Sequence, residues 1–269
     1  MVTIILALVA ALGTFFATYY AADIHVGWSI FWGLITFAVL QVGSGIYIRK
    51  LMKREMDEVQ RILTAGQKRL QQKMQRWQMR PPGSIQAAQR EIFEDTKVFV
   101  KEALDQTEQL RKFRLWVPFI EKQIATAQFQ LNWMIKDFKT VDKLMPKVMF
   151  LDPTTQAMRI ARLHMLGKPI VELKKLYEKA VARTRYNDNV LLAALMSWIE
   201  IKSGDVDAAF KTLTEALKKS DNETLKRNHE CLMNNRPGHF TNSGLGDMWY
   251  SLLLEEPKVR TQRQHPVYR

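Results

Sequence analysis

The sequence has almost no cysteine and, near its start, almost no charge. One Cys among 269 residues excludes an internal disulfide framework and a cysteine-based zinc cluster, because each needs several cysteines. From Met1 to Ile48 the only formally charged side chain is Asp23. All 40 Lys and Arg residues therefore lie downstream, in a chain with a net charge of +13. The beginning of the chain and the rest are suited to different solvents.

Two long uncharged runs fill the beginning of the chain. They cover Val2–Ala22 and Val26–Ile48, and as helices rising about 1.5 Å per residue each can cross about 30 Å of hydrocarbon. We predict a two-helix transmembrane hairpin over residues 1–48. A cleaved signal peptide is the alternative for the first run, but that run lacks a basic leading region and Tyr20 interrupts the small-residue cleavage pattern.

Positive charge begins directly after the second run. Arg49, Lys50, Lys53 and Arg54 follow it, whereas the hairpin contains no Lys or Arg. The positive-inside rule then predicts that the N-terminus and the C-terminal bulk are cytoplasmic. We expect these four residues at the membrane surface, where anionic lipid headgroups would attract them. A short uncleaved hairpin suits a bacterial inner membrane, although an organelle membrane stays open.

Residues 49–83 form a basic stem with helical periodicity. Its narrow seam contains Met56, Val59, Leu63, Gly66, Leu70, Lys73 and Trp77. The seam is interrupted at Gly66 and Lys73, and the Pro81-Pro82-Gly83 break ends the helix. Three interpretations stay open: a connector packed on the following domain, a helix lying on anionic lipid, and a self-associating coiled coil. We predict against nucleic-acid binding, because the aromatic residues do not form a stacking platform.

The remainder of the chain has a helical pattern. No alternating strand segment of useful length occurs, so the predicted class is all-α, with a helical domain over 84–256 and a basic tail over 257–269. Ser84 is the predicted N-cap of a helix that runs to about Arg114. Two flanking helices are expected near the end of the domain. They would cover Glu223–Asn234 and Gly244–Glu255.

Two parts of this domain share one layout, 68 residues apart. Lys136-Asp137 reads as a turn before a second helix that stops at Asp152-Pro153, and Ser203-Gly204-Asp205 precedes a second helix ending at Leu217. Both resemble the tetratricopeptide repeat (TPR), which has a 34-residue period. The resemblance implies units at about 122–155, 156–189 and 190–222, although Lys136 replaces the family's turn glycine. The two-span anchor with such repeats also looks like HemY-type bacterial membrane proteins.

The TPR resemblance implies an α-solenoid with a concave face that binds a partner. In that family, ligand peptides lie against the first helix of each unit. The corresponding residues here are Gln123, Gln130, Trp133, His164 and Trp198. Trp133 and Trp198 have an alternative role in the core, because large aromatic side chains usually bury. The family's carboxylate-binding pattern of Lys and Asn is missing.

Motifs that would indicate chemistry are absent from the sequence. His229, Cys231 and His239 lie close together but match no zinc signature, and there is no phosphate-binding loop or nucleophile elbow. We therefore predict no enzymatic activity, catalytic residue, cofactor or metal. The expected function is a membrane-anchored scaffold or adaptor that recruits or organises a protein partner at the cytoplasmic membrane face. The alternative is a constitutive structural subunit of a larger membrane protein complex.

Overall fold

The computed structural model describes residues 2–21, 25–79, 83–184 and 189–257, and every regular element in these ranges is helical. The all-α prediction is confirmed over this part of the chain. The chain divides into two compact units, with the boundary between Met149 and Phe150. The predicted turn at Asp23, the Pro81-Pro82 break and the basic tail after Pro257 lie outside the described residues.

The first unit begins with two apolar helices. Helix α1 spans Val2–Phe16 and continues into a π-helical turn at Ala17–Ala21, and α2 starts at Val26. Both are long and apolar enough to cross a membrane. They pack closely, since a Cβ on Gly33 would stand 3.2 Å from the carbonyl oxygen of Ala11. Small residues at such positions allow two helices to approach in lipid.

Helix α2 joins the second apolar run to the basic stem without a break. It spans Val26–Met79, a total of 54 residues, which corresponds to a length of about 80 Å. After its first turn, the backbone N–H groups of a continuous helix bond within that helix. The stem is therefore an extension of the second apolar run and not a separate segment.

The stem packs against α3, which spans Ile85–Glu108. Ser84 caps α3 as predicted, because its hydroxyl accepts a hydrogen bond from the backbone N–H of Ala87 at 3.1 Å. The buried cluster between the stem and its neighbours contains Val59, Phe99, Val100, Ala103 and Leu131. The connector interpretation is thus the one that the structure supports.

The two interruptions of the seam are explained by what α3 places opposite them. The ring of Phe99 occupies the space that a Cβ on Gly66 would need. The Lys73 ammonium lies 2.5 Å from carboxylate oxygens of both Glu91 and Asp95. Gly66 and Lys73, which interrupt the apolar seam of the stem, are therefore complementary to the side chains of α3.

The rest of the first unit is made of shorter elements. After α3, a 3-10 turn covers Gln109–Phe113, so the α-helix predicted to reach Arg114 ends earlier, at Glu108. Helix α4 spans Ile120–Met134 and α5 spans Phe138–Leu144, followed by a 3-10 turn at Met145–Lys147.

The second unit contains six further helices in its described residues. These are α6 (Pro153–Met165), α7 (Ile170–Val181), α8 (Val190–Lys202), α9 (Val206–Leu217), α10 (Glu223–Met233) and α11 (Asp247–Tyr250). The helix predicted to stop at Asp152-Pro153 ends earlier, at Leu144. Asp152 is instead the N-cap of α6, and Pro153 is its first residue, where the missing N–H costs nothing.

The predicted helix over Gly244–Glu255 is also wrong. A 3-10 turn covers Ser243–Leu245, and only the four residues of α11 form an α-helix. Gly246 has a φ of 56° between them, a left-handed conformation that an α-helix does not tolerate. The segment is thus a series of turns around a short helix.

Helix α8 is the centre of the second unit. It contacts α6, α7 and α9, and all residues from Leu191 to Glu200 are buried. A helix that is apolar on every side needs such complete cover. The other helices of the second unit supply this cover.

One type of turn ends α4, α6, α8 and α10. The residue after each C-cap is left-handed: Lys136, Gly167, Gly204 and Asn235 have φ values of 58°, 70°, 85° and 52°. The next backbone N–H bonds five residues back, as in Asp137 N–H to the Asn132 carbonyl at 3.0 Å. This is the Schellman motif, which satisfies carbonyl groups at a helix end.

The 68-residue correspondence holds in local geometry. Asp137 and Asp205 each follow such a turn, and their carboxylates accept from the backbone N–H of Thr140 and Ala208. Lys136 takes the left-handed conformation for which the TPR family uses glycine. The Schellman turn at Lys136 therefore forms without glycine, the residue that adopts a positive φ at the lowest cost.

Gly66→Ala tests the packing of the stem on α3. We expect a loss of about 1–3 kcal/mol, because the added Cβ overlaps the buried Phe99 ring. The measurement is the apparent Tm in detergent micelles, followed by far-ultraviolet circular dichroism. Gly45→Ala in the same helix is the control, since nothing lies within 4 Å of its Cβ position. Equal Tm values for the two variants would contradict the packing.

Candidate functional site

The four basic residues at the start of the stem lie on the surface of α2. Arg49, Lys50, Lys53 and Arg54 are all exposed, and none has an ion-pair partner among the described residues. Neighbouring Glu55 is already engaged, at 2.5 Å from Lys112 and 2.9 Å from the Gln106 amide. The positive charge is therefore available to an anion outside the protein.

A cleft of about 440 Å³ lies between α2 and α3. Its lining includes Gly66, Lys73, Arg76, Asp95 and Phe99. The side chains of Asp95 and Glu91 hydrogen-bond to the Lys73 ammonium and raise its pKa above the usual 10.5. Lys73 thus stays charged and occupied by protein carboxylates, so its role at this cleft is structural.

The predicted partner-binding residues of the first unit differ in exposure. Gln123 is exposed and Gln130 is half-buried on α4. Trp133 is only 1% exposed, with its ring centroid 5.5 Å from that of Phe138 in an edge-on arrangement. The expectation that Trp133 contacts a partner is therefore wrong for this structure, because packing removes its ring from the surface.

The predicted residues of the second unit lie side by side. The rings of His164 on α6 and Trp198 on α8 meet edge to face at a centroid distance of 5.6 Å. Burial lowers the pKa of His164 below its usual 6.5. Trp198 is buried, so the half-buried His164 is the more accessible of the two.

A carboxylate that the sequence did not single out organises this aromatic cluster. One oxygen of Glu255 accepts the indole N–H of Trp198 and the other accepts that of Trp249, each at 2.8 Å. The two indole rings are 5.8 Å apart. We call Trp198, Trp249 and Glu255 the indole clamp. Trp198 lies 57 residues before Glu255 in the sequence, so no local spacing marks the complete clamp.

Glu200, unlike the half-buried Glu255, is fully buried and has few hydrogen-bond partners. It is 1% exposed, and one oxygen accepts from the Thr212 hydroxyl at 2.8 Å. Its other oxygen has no partner among the described residues. Burial raises the pKa of Glu200, and burial likewise raises the pKa of nearby Tyr177. Both groups are enclosed, which separates them from any substrate in solvent.

The residues considered for zinc have other contacts. His229 stacks on Phe210 at a centroid distance of 4.5 Å, and its Nε2 lies 3.0 Å from the Thr214 hydroxyl. The Cys231 sulfur faces the carbonyl oxygen of His239 at 3.9 Å. Among the residues that the structure describes, no group of three or more His, Cys, Asp or Glu side chains is placed to hold a metal ion.

The chain was compared with protein-family models, with curated proteins and with solved structures, and none of the three comparisons found a match.

Glu255→Gln tests the indole clamp. The amide has one oxygen, so one indole N–H loses its acceptor, and we expect a loss of about 1–3 kcal/mol. The measurement is urea unfolding of the full chain in micelles, followed by tryptophan fluorescence. Glu256→Gln, at the exposed neighbouring residue, is the control and should change stability by less than about 0.5 kcal/mol. If both variants unfold at the same urea concentration, the hydrogen bonds of the indole clamp do not contribute to the free energy of unfolding.

Proposed function

We propose that this protein is a membrane-anchored helical scaffold that recruits or organises a protein partner at the cytoplasmic face of a membrane. The observation that carries the proposal is the continuity of α2 from Val26 to Met79. A single helix that is apolar at one end and packed into a helical unit at the other couples that unit directly to the bilayer. Tethering of this kind raises the local concentration of a partner at a surface.

The orientation rests on the charge at the end of the second apolar run. Arg49, Lys50, Lys53 and Arg54 are exposed and unneutralised within the described residues, which favours a cytoplasmic position under the positive-inside rule. A bacterial inner membrane is the proposed location. Anionic headgroups are the natural counter-ions for these side chains.

The partner-binding role rests on the helical hairpins. The pairs α4–α5, α6–α7 and α8–α9 each pack together, and their first helices end in the same turn. We propose that each of these hairpins is TPR-like and that its first helix faces the partner. Gln123, Gln130 and His164 retain enough exposure for this role, whereas Trp133 and Trp198 hold the hairpins together.

Membrane attachment is tested on native membranes. We expect the chain to resist alkaline carbonate, which strips peripheral proteins, and to be cut by protease only when the cytoplasmic face is exposed, in inverted vesicles. An outer-face periplasmic protein serves as the control for vesicle orientation. Release by carbonate, or digestion of the polar units in intact spheroplasts, would overturn the anchored orientation.

The partner-binding face is tested by site-specific photo-crosslinking in cells. A photoreactive residue at Gln123 or at His164 should give discrete adducts, because both lie on first helices. Lys211, exposed on the second helix α9, is the matched control and should give far fewer. Equal adducts at all three positions would contradict the proposed face. Adducts that stay stoichiometric through detergent and high-salt purification would favour the alternative role as a permanent complex subunit.

A further inference from the structure

A short apolar loop projects from the first unit between α3 and α4. Three of its side chains point outward: Leu115 is 65% exposed, Trp116 39% and Phe119 66%. Val117, between them, is partly buried against the cluster that contains Leu110, Phe113, Ile120 and Ile124. The loop is thus anchored by one apolar side chain while it presents three larger ones outward.

The loop lies where the apolar runs end. The backbone N–H of Val2, at the start of α1, donates to the carbonyl oxygen of Leu115 at 3.2 Å. The cluster beneath the loop packs against Ile48, Leu51 and Met52 of α2. These three residues bracket the point at which α2 changes from apolar to basic. The exposed apolar face is therefore continuous with the surface of the two candidate spans.

The backbone of the loop is strained at its most exposed side chain. Phe119 has a φ of 63° and stands at the N-cap of α4, where it forms no side-chain cap hydrogen bond. A left-handed conformation is costly for a bulky residue that is not glycine. The Phe119 ring is 66% exposed, so burial of the ring among the described residues does little to offset this cost.

A basic rim surrounds the apolar face. Arg111, Lys112, Arg114 and Lys122 flank the loop. The first three pair with Glu108, Glu55 and Glu121 respectively, and Lys122 lies 5.5 Å from the centroid of the Phe119 ring. Aromatic and leucine side chains rimmed by Lys and Arg are the composition of segments that lie at a lipid–water interface.

We propose that the loop from Leu115 to Phe119 is a third membrane contact, which inserts Leu115, Trp116 and Phe119 into the boundary between the headgroups and the acyl chains of the bilayer. The inference rests on the proposed membrane anchoring and specifies how the first unit meets the lipid. Two spans alone do not fix the tilt of α2 in the bilayer, and the unit packed on α2 tilts with it. A third contact beside α1 fixes that tilt, so the unit lies against the membrane surface.

Nitroxide depth measurements test the loop in the full chain. In a Cys231→Ala background, single labels are placed at Leu115, at Leu34 in the second apolar run, and at Val98 on α3. Val98 is the matched control because it is apolar and 68% exposed, and its neighbour Phe99 packs on Gly66, about 24 Å along α2 from Lys50. The labelled chains are reconstituted into phosphatidylethanolamine and phosphatidylglycerol vesicles, and collisions with oxygen and with a water-soluble nickel chelate are compared.

We expect the label at Leu115 to collide with the chelate several-fold less often than the label at Val98, and to retain the high oxygen accessibility seen at Leu34. Phosphatidylcholine vesicles should preserve this protection, because the insertion is apolar. If the label at Leu34 reads as lipid-buried and the label at Leu115 reads as aqueous, the loop inference fails while the anchoring stands. If the label at Leu34 is also aqueous, the anchoring itself fails.

Two further results would overturn the inference. Protection of the label at Leu115 from both oxygen and the chelate would mean that protein covers the loop, either a partner or a second copy of the chain. Loss of protection in phosphatidylcholine vesicles would mean that the basic rim holds the loop near the headgroups without insertion.

Discussion

The antiparallel packing of α2 on α3 is the main contact that holds the basic stem against the rest of the first unit. The contact combines apolar burial around Val59 and Phe99 with a lysine shared by two carboxylates. The apolar part supplies most of the free energy, since ion pairs at the surface contribute little. The Lys73 pairs instead fix the register, because a shift of α3 along α2 would leave the seam lysine against apolar side chains.

This contact would give the proposed membrane anchor control over the position of the first unit. A flexible linker after the second apolar run would let the helical units diffuse around their tether, with only a gain in local concentration. A continuous helix packed along its side restricts the first unit to a narrow range of positions. The proposed interfacial loop acts in the same direction, since it lies on the side of the unit next to the start of α1.

The second unit depends on α8 and on the indole clamp beside it. Because α8 is buried from Leu191 to Glu200, the side chains of Ser197 and Glu200 in that stretch must be satisfied by the helix itself or by neighbours. The Ser197 hydroxyl donates a hydrogen bond to the Ala193 carbonyl oxygen. Only one carboxylate oxygen of Glu200 has a partner among the described residues, and burial raises the pKa of Glu200. Glu255, by contrast, uses both oxygens on indole N–H groups. Trp198, which the sequence analysis expected to contact a partner, is thus packed inside the second unit.

The sequence by itself determined the all-α class, the two apolar helices, the Ser84 cap and the correspondence between Asp137 and Asp205. Each of these depends on residues within one or two turns of helix, where charge, capping and periodicity act locally. Only the tertiary structure decided that Gly66 and Lys73 complement α3, that Trp133 is core, and that Glu255 joins two distant indoles. Those outcomes depend on which helix surfaces pack together. The residue pattern along one helix does not show which side chains of another helix will contact it.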